Sequence, residues 1–180
     1  TSYGTVLTFT TTALVSPTIT FVDINKTYGD ADFNLEATSN SDGAISYSIV
    51  TGGTGTASLS GTNNETVSLG NAGTVTIRAS QVADGSFDAG TKEITLTISK
   101  ATLTATADNK TKAFGEANPT FTISYSGFKG SDTSSVLDTA PSASSNATTS
   151  SSSGTYDIIP SGGSDNNYTF SNVNGTLTIT

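Results

Sequence analysis

Residues 25–33 read NKTYGDADF, and residues 109–121 read NKTKAFGEANPTF. Lys26, Tyr28, Gly29 and Asp30 of the first stretch line up with Lys112, Phe114, Gly115 and Glu116 of the second, 86 positions further on. A self-match at that period is the mark of a modular chain. It restricts the fold to one that a unit of this length can complete and then repeat. The chain's ends agree: GTVLTFT (4–10) and GTLTIT (175–180) are two versions of one terminal strand. Residues 1–16 therefore read as the end of an upstream module plus a junction, punctuated by Pro17. Repeated units are usually selected for number and length, not for a chemistry carried by one copy.

Composition narrows the function. The 180 residues are enough for two small domains. Net charge is −8 with seven Lys and Arg residues, and no basic cluster is present to release phosphate counterions. Nucleic acid is therefore not an expected partner, and neither is an anionic membrane surface. No apolar run is long enough to span a bilayer and no segment reads as a signal peptide, so direct membrane insertion is not expected. Cys and His are absent. That removes disulfides, the Ser-His-Asp and Cys-His arrangements, and the usual zinc ligands. An abundance of Thr, Ser, Gly and Asn suits strands and turns and is typical of secreted all-β proteins.

Strict alternation supports this. Val75, Ile77 and Ala79 alternate with Thr74, Thr76 and Arg78; Ile94, Leu96 and Ile98 alternate with Thr95, Thr97 and Ser99. Period two with one apolar face predicts half-buried strands of a two-layer structure. Seven such segments (18–22, 32–37, 44–50, 56–60, 65–69, 74–79 and 93–99) predict an immunoglobulin-like β-sandwich over 17–99. Over 100–180, strands are predicted at 102–107, 120–126, 155–160, 168–170 and 175–180. SDTSSVLD (131–138) reads as a short helix capped by Ser131 or Asp132, with Val136 and Leu137 facing the core. That unit is consistent with a β-grasp-like fold or with a second sandwich. SASSNATTSSSSG (142–154) reads as a mobile loop, an edge strand with a hydroxyl face, or a glycan-bearing segment. EITLTISKATLTATA (93–107) joins the two units with almost no linker, so little swivelling is expected. Units about 30 Å long joined end to end would make a stiff rod.

These elements carry a family resemblance. KATLTATADNKTKAFGEANPTFTISYSGF, GSDTSSVLDTAP and GTYDIIPSGGSDNNYTFSNVNGTLTIT, in that order, resemble an MBG domain of the YGX type across essentially all of 100–180. Phe114 and Glu116 stand where that family more often has Tyr and Asp. ITFVDINKTYGDADFNLEATSNSDGAISYSI with NAGTVTIRASQVADGSFDAG is similar to the bacterial Ig-like repeats that accompany such modules. The resemblance implies a giant bacterial adhesin exported to the cell surface, in which these modules are mainly stalk. It implies no catalytic residues, and the chain is not expected to be an enzyme.

Several residues invite sharper readings. The aromatic–Gly–acid motif could stack on a sugar; its recurrence at one strand position favours a turn, with the aromatic plugging one end of the core. Asp84 with Asp88, and Asp30 with Asp32, are candidates for calcium, the only cofactor considered. Neither pair matches a spaced calcium loop, and turn stabilisation is the plainer use. SDNNYT (164–169) fares no better. Tyr125, Phe128, Tyr156 and Tyr168 are the candidate glycan-stacking aromatics, provided they are exposed. Asn25, Asn64, Asn109, Asn146, Asn167 and Asn174 begin N-x-[ST] triplets, and Thr139 lies in a DTA sequence like the O-glycosylation sequon of Bacteroidetes. The leading expectation is a stalk whose partners are neighbouring repeats of the same chain. The alternatives are a module that binds carbohydrate or glycoprotein, and a filament subunit that pairs with identical chains through GTVLTFT.

Overall fold

The computed structural model describes residues 13–180. The strand expected at 4–10 lies outside the described residues. Nine strands follow between residues 19 and 99: β1 (Ile19–Thr20), β2 (Ile24–Thr27), β3 (Phe33–Asn34), β4 (Thr38–Ser39), β5 (Ile45–Val50), β6 (Ala57–Ser60), β7 (Thr66–Leu69), β8 (Gly73–Gln81) and β9 (Gly90–Ser99). Seven more lie between 101 and 179: β10 (Ala101–Ala107), β11 (Lys110–Lys112), β12 (Ile123–Ser126), β13 (Ser142–Ser144), β14 (Gly154–Ser161), β15 (Tyr168–Val173) and β16 (Gly175–Ile179).

In the first set, a four-stranded sheet (β2-β9-β8-β5) faces a three-stranded one (β3-β7-β6), with β1-β4 as a small flap. In the second, β12-β10-β15 faces β11-β16-β14-β13. Among the described residues no ladder joins the two sets. Each is a sandwich, closed by the alternation read from the sequence. Val75 lies opposite Leu96 and Ile77 opposite Ile94, and all four are buried. Phe21, Leu35, Tyr47 and Val67 complete one continuous core.

The second core is thinner and divided. Ala107, Ala147, Ile158, Leu177 and Ile179 form one cluster; Ala101, Leu103 and Tyr168 form another. Small residues on β10 let the sheets approach closely but bury little area, so the aromatics at the edge of the second cluster carry much of its burial.

Three readings change. The helix expected at 131–138 is a single 3₁₀ turn, Ser134–Val136, capped by Thr133. Val136 is exposed, and Leu137 alone packs on the core. Four hydroxyl residues compete for backbone partners there and leave too little apolar face to hold a longer helix. With no helix across a sheet, residues 100–180 form a sandwich and not a β-grasp. Within 142–154, residues 142–144 are the edge strand β13, paired only with β14.

Neither INKT in β2 nor KTK in β11 carries apolar alternation. Both are held by parallel pairing with the last strand of their own unit: Thr27 lies opposite Ser99, and Lys112 opposite Ile179. The exit strand β9 ends at Ser99, and β10 begins at Ala101. Lys100 is the only residue between, its amine bonded to the Asp165 carbonyl at 2.7 Å.

Leu96 and Leu177 are fully buried, one in each unit. Replacing either with Ala is expected to cost about 2–5 kcal/mol in urea unfolding. Val22→Ala, at a position 69% exposed, is expected to stay within about 0.5 kcal/mol.

Candidate functional site

The repeated motif forms the same turn twice. In Thr27-Tyr28-Gly29-Asp30, the Asp30 carboxylate accepts from the Thr27 N–H at 2.8 Å, and the Asp30 N–H returns a bond to the Thr27 carbonyl. In Ala113-Phe114-Gly115-Glu116, Glu116 accepts from the Ala113 N–H at 3.1 Å, and its own N–H bonds the Ala113 carbonyl. Each glycine holds a positive φ, +80° at Gly29 and +86° at Gly115, which favours a residue without Cβ. Each aromatic N–H donates to the end of its unit's exit strand: Tyr28 to Ser99 at 2.8 Å, Phe114 to Thr180 at 2.9 Å. The turn thus points an aromatic side chain from the place where the chain leaves the sandwich.

At the first turn that side chain is seated in the second unit. The Tyr28 ring meets Tyr168 edge-on, with centroids 5.4 Å apart. Phe128 packs edge-on to Tyr168 at 5.5 Å, and Tyr125 follows at 5.8 Å from Phe128. The Asp132 Oδ2 accepts from both phenols, Tyr168 at 2.6 Å and Tyr28 at 3.0 Å. The Tyr168 oxygen in turn accepts from the Lys129 N–H at 2.8 Å. A Cβ on Gly29 would lie 2.5 Å from that of Lys129, so the glycine is needed for the close approach as well as for its φ. A second contact lies alongside. The Asn167 Oδ1 accepts from the Ala72 N–H at 2.9 Å, and its amide donates to the Asn71 side chain at 3.2 Å. Burial raises the pKa of both phenols, and the Asp132 carboxylate raises it further; Tyr168 is pushed up to about 12.

The receiving loop is duplicated too. Ala101 pairs in parallel with Tyr168, and Val15 bridges Phe87 in parallel. The Ala101 N–H bonds the Asn167 carbonyl, and the Val15 N–H bonds that of Ser86. Asp165 accepts from the N–H groups of Asn167 and Tyr168; Asp84 accepts from that of Ser86. Each unit therefore has a projecting turn at its exit and an Asp-braced loop beside its incoming strand.

The residues singled out from the sequence fall into place around this interface. Tyr168 is 2% exposed, so it is corrected from a surface aromatic to the centre of the junction. Tyr125 and Phe128 are half-buried against it. Tyr156 lies apart, packed on the other cluster with its hydroxyl on the Ser152 carbonyl. The four do not make one stacking platform.

The acidic residues are dispersed. Asp84 binds the Ser41 hydroxyl and the Asp42 N–H, and the Ser41 bond leads in holding its carboxyl below the usual range. Asp30 closes the Tyr28 turn, and Asp32 accepts from Ser68 at 2.7 Å. Asp88 meets Val15 through its backbone. Among the described residues no group of three metal-ligating side chains occurs. Thr139 is exposed, its backbone paired with Ser164. Sequence reasoning missed Asp132, Asn167 and Lys129 as interface residues. It placed Tyr28 in its own core, whereas the side chain packs against both. One signal was available: the same turn aromatic recurs at the same strand position in each unit.

The fold and this site together define two successive β-sandwich units that interlock directly. Comparison with known families adds to this for the second unit: residues 103–178 match the family model described as MBG domain (YGX type). No curated protein matches the sequence significantly. Among solved structures, the chain is similar to Drosophila N-cadherin EC1-4, at 10% identity and a TM-score of 0.38, over 93% of this chain and 50% of that one. Drosophila N-cadherin EC1-3 matches at 11% identity and a TM-score of 0.30, over 92% and 67%. The chain thus spans half the length of the first cadherin fragment.

Tyr28 and Tyr168 hold their protons more tightly in the folded chain than at the usual value near 10. Between pH 10 and about 12 the folded state therefore binds more protons than the unfolded one, and stability falls as pH rises. The contribution is expected to be complete below pH 10 and lost towards pH 12. Absorbance titration of the phenolates is expected to show three late tyrosines, Tyr28, Tyr168 and Tyr125, the last raised by burial alone, and Asp132→Asn to bring only Tyr28 and Tyr168 earlier. A double-mutant cycle of Tyr28→Phe with Asp132→Asn is expected to give about 1.5–3 kcal/mol of coupling, as for a hydrogen bond to a charged group.

Proposed function

We propose that this chain is a pair of tandem structural modules from the stalk of a large extracellular bacterial adhesin. They hold a distal binding region away from the cell surface and transmit tension to it. The observation that carries this reading is the placement of the parallel ladders. In each unit a strand near the incoming end, β2 or β11, pairs in parallel with the exit strand, β9 or β16. Tension applied through the chain loads those hydrogen bonds together in shear and does not open them one at a time. The one-residue connection at Lys100 and the seated Tyr28 carry that load between units without a slack segment.

The site supports a structural role better than a catalytic one. Its carboxylate is occupied by two phenols, its aromatics are packed against one another, and no cofactor enters the reading. Excess negative charge and a hydroxyl-rich surface keep such a stalk hydrated and apart from its neighbours. The match of residues 103–178 to the MBG domain accords with a repeat module. A glycan-reading role has less support, because its best aromatic is inside the junction.

Single-molecule pulling through the two ends is expected to give two separate unfolding events. Their force should be well above that for pulling across the β8–β9 hairpin, which peels bonds singly. Equal forces in the two geometries would overturn the stalk reading. A glycan array probed with the chain is expected to stay blank. Reproducible binding that is lost in Tyr125→Ala would install the receptor-reading role in its place.

A further inference from the structure

We propose that the Phe114-Gly115-Glu116 turn is a docking element for a following MBG-type module. In that module Phe114 takes the place that Tyr28 takes against Tyr168 and Asp132. The proposal rests on the reading of the chain as part of a tandem array and names the surface by which the next unit is held.

Three observations point to this occupant. Phe114 is 61% exposed, although it sits on the same acid-closed turn as Tyr28 and is tied to the exit strand by the same N–H bond. A large aromatic on a rigid turn, turned away from its own core, is costly to leave in water unless something covers it. A Cβ on Gly115 would meet nothing within 4 Å, whereas at Gly29 the equivalent space holds the Lys129 side chain. The ground beside the turn is repeated as well. Gly73 and Gly154 share a positive φ, +137° and +148°, and pair opposite Ile98 and Ile179 near the exit. Asn71 and Ala72, just before Gly73, meet Asn167. Ser152 and Ser153, just before Gly154, are exposed. The turn and the ground beside it thus recur at the far pole, with no other unit covering them among the described residues.

At the aromatic itself the chemical difference is the missing hydroxyl. Phe114 can supply the edge-on ring contact but cannot donate to the carboxylate equivalent to Asp132. That carboxylate would keep only the bond from its own Tyr168 equivalent. Docking through Phe114 is therefore weaker than through Tyr28, and restoring the hydroxyl should strengthen it.

The test uses the whole chain extended after Thr180 by a second copy of residues 100–180, which repeats the joint found at Ser99 and Lys100. In the extended protein, Phe114→Ala is expected to lower the melting transition of the added copy by roughly 4–8 °C. Phe114→Tyr is expected to raise it. In the 180-residue chain, both substitutions should leave melting unchanged. Equal effects in the two proteins, or none in the extended one, would overturn the proposal. So would sedimentation showing that the 180-residue chain self-associates through Phe114, since the occupant would then be another chain. Failure here with high shear resistance in both units leaves the stalk reading standing. Docking in an array whose units unfold at low force would remove the stalk reading alone.

Discussion

Two phenols donating to one carboxylate oxygen hold the molecule together where it would otherwise be weakest. Tyr28 belongs to the first unit by sequence, but its ring packs on Tyr168, and its hydroxyl reaches Asp132 of the second. This matters because the second unit's cores are small. The cluster around Ala101, Leu103 and Tyr168 draws on aromatics at its margin, and Tyr28 is one of them. One unit therefore completes the other, and the connection is more than a peptide bond between neighbours.

The motif's three residue types follow from that task. The acid closes the turn by accepting an N–H three residues back. The glycine adopts a left-handed φ and leaves room for a side chain from the facing unit, which at Gly29 is Lys129. The aromatic then projects from a fixed frame. Its N–H is bonded to the last residue of the exit strand, so the direction of the ring and the path of the departing chain are set together. β2 and β11 lack apolar residues in alternation, but each is held parallel to the exit strand of its own unit.

Much of the architecture was legible because it rests on local pattern. β8 and β9 alternate over their central residues, and only a two-layer fold buries one face of each. The short connection between β9 and β10 was also readable, from ISKAT at that point. What escaped depends on partners distant in sequence. INKT and KTK become strands only through pairing with chain some 70 residues away. Asp132 reads locally as a helix cap because Ser and Thr follow it, yet the carboxylate is taken by Tyr168 and Tyr28, 36 and 104 residues distant. Tyr168 stands in the polar run SDNNYT, which left its exposure open, and no local signal shows that another unit covers it. The motif itself was legible; its direction was not, since a turn aromatic can plug its own core or a neighbour's.

The Tyr28 turn makes two sandwiches into one body. Residual dipolar couplings measured across the chain in a weakly aligning medium test this most directly. A single alignment tensor should fit both units, and in Tyr28→Ala the couplings should separate into two sets while each unit keeps its internal structure. Two independent tensors in the unaltered chain, or one tensor that survives loss of Tyr28, would contradict it.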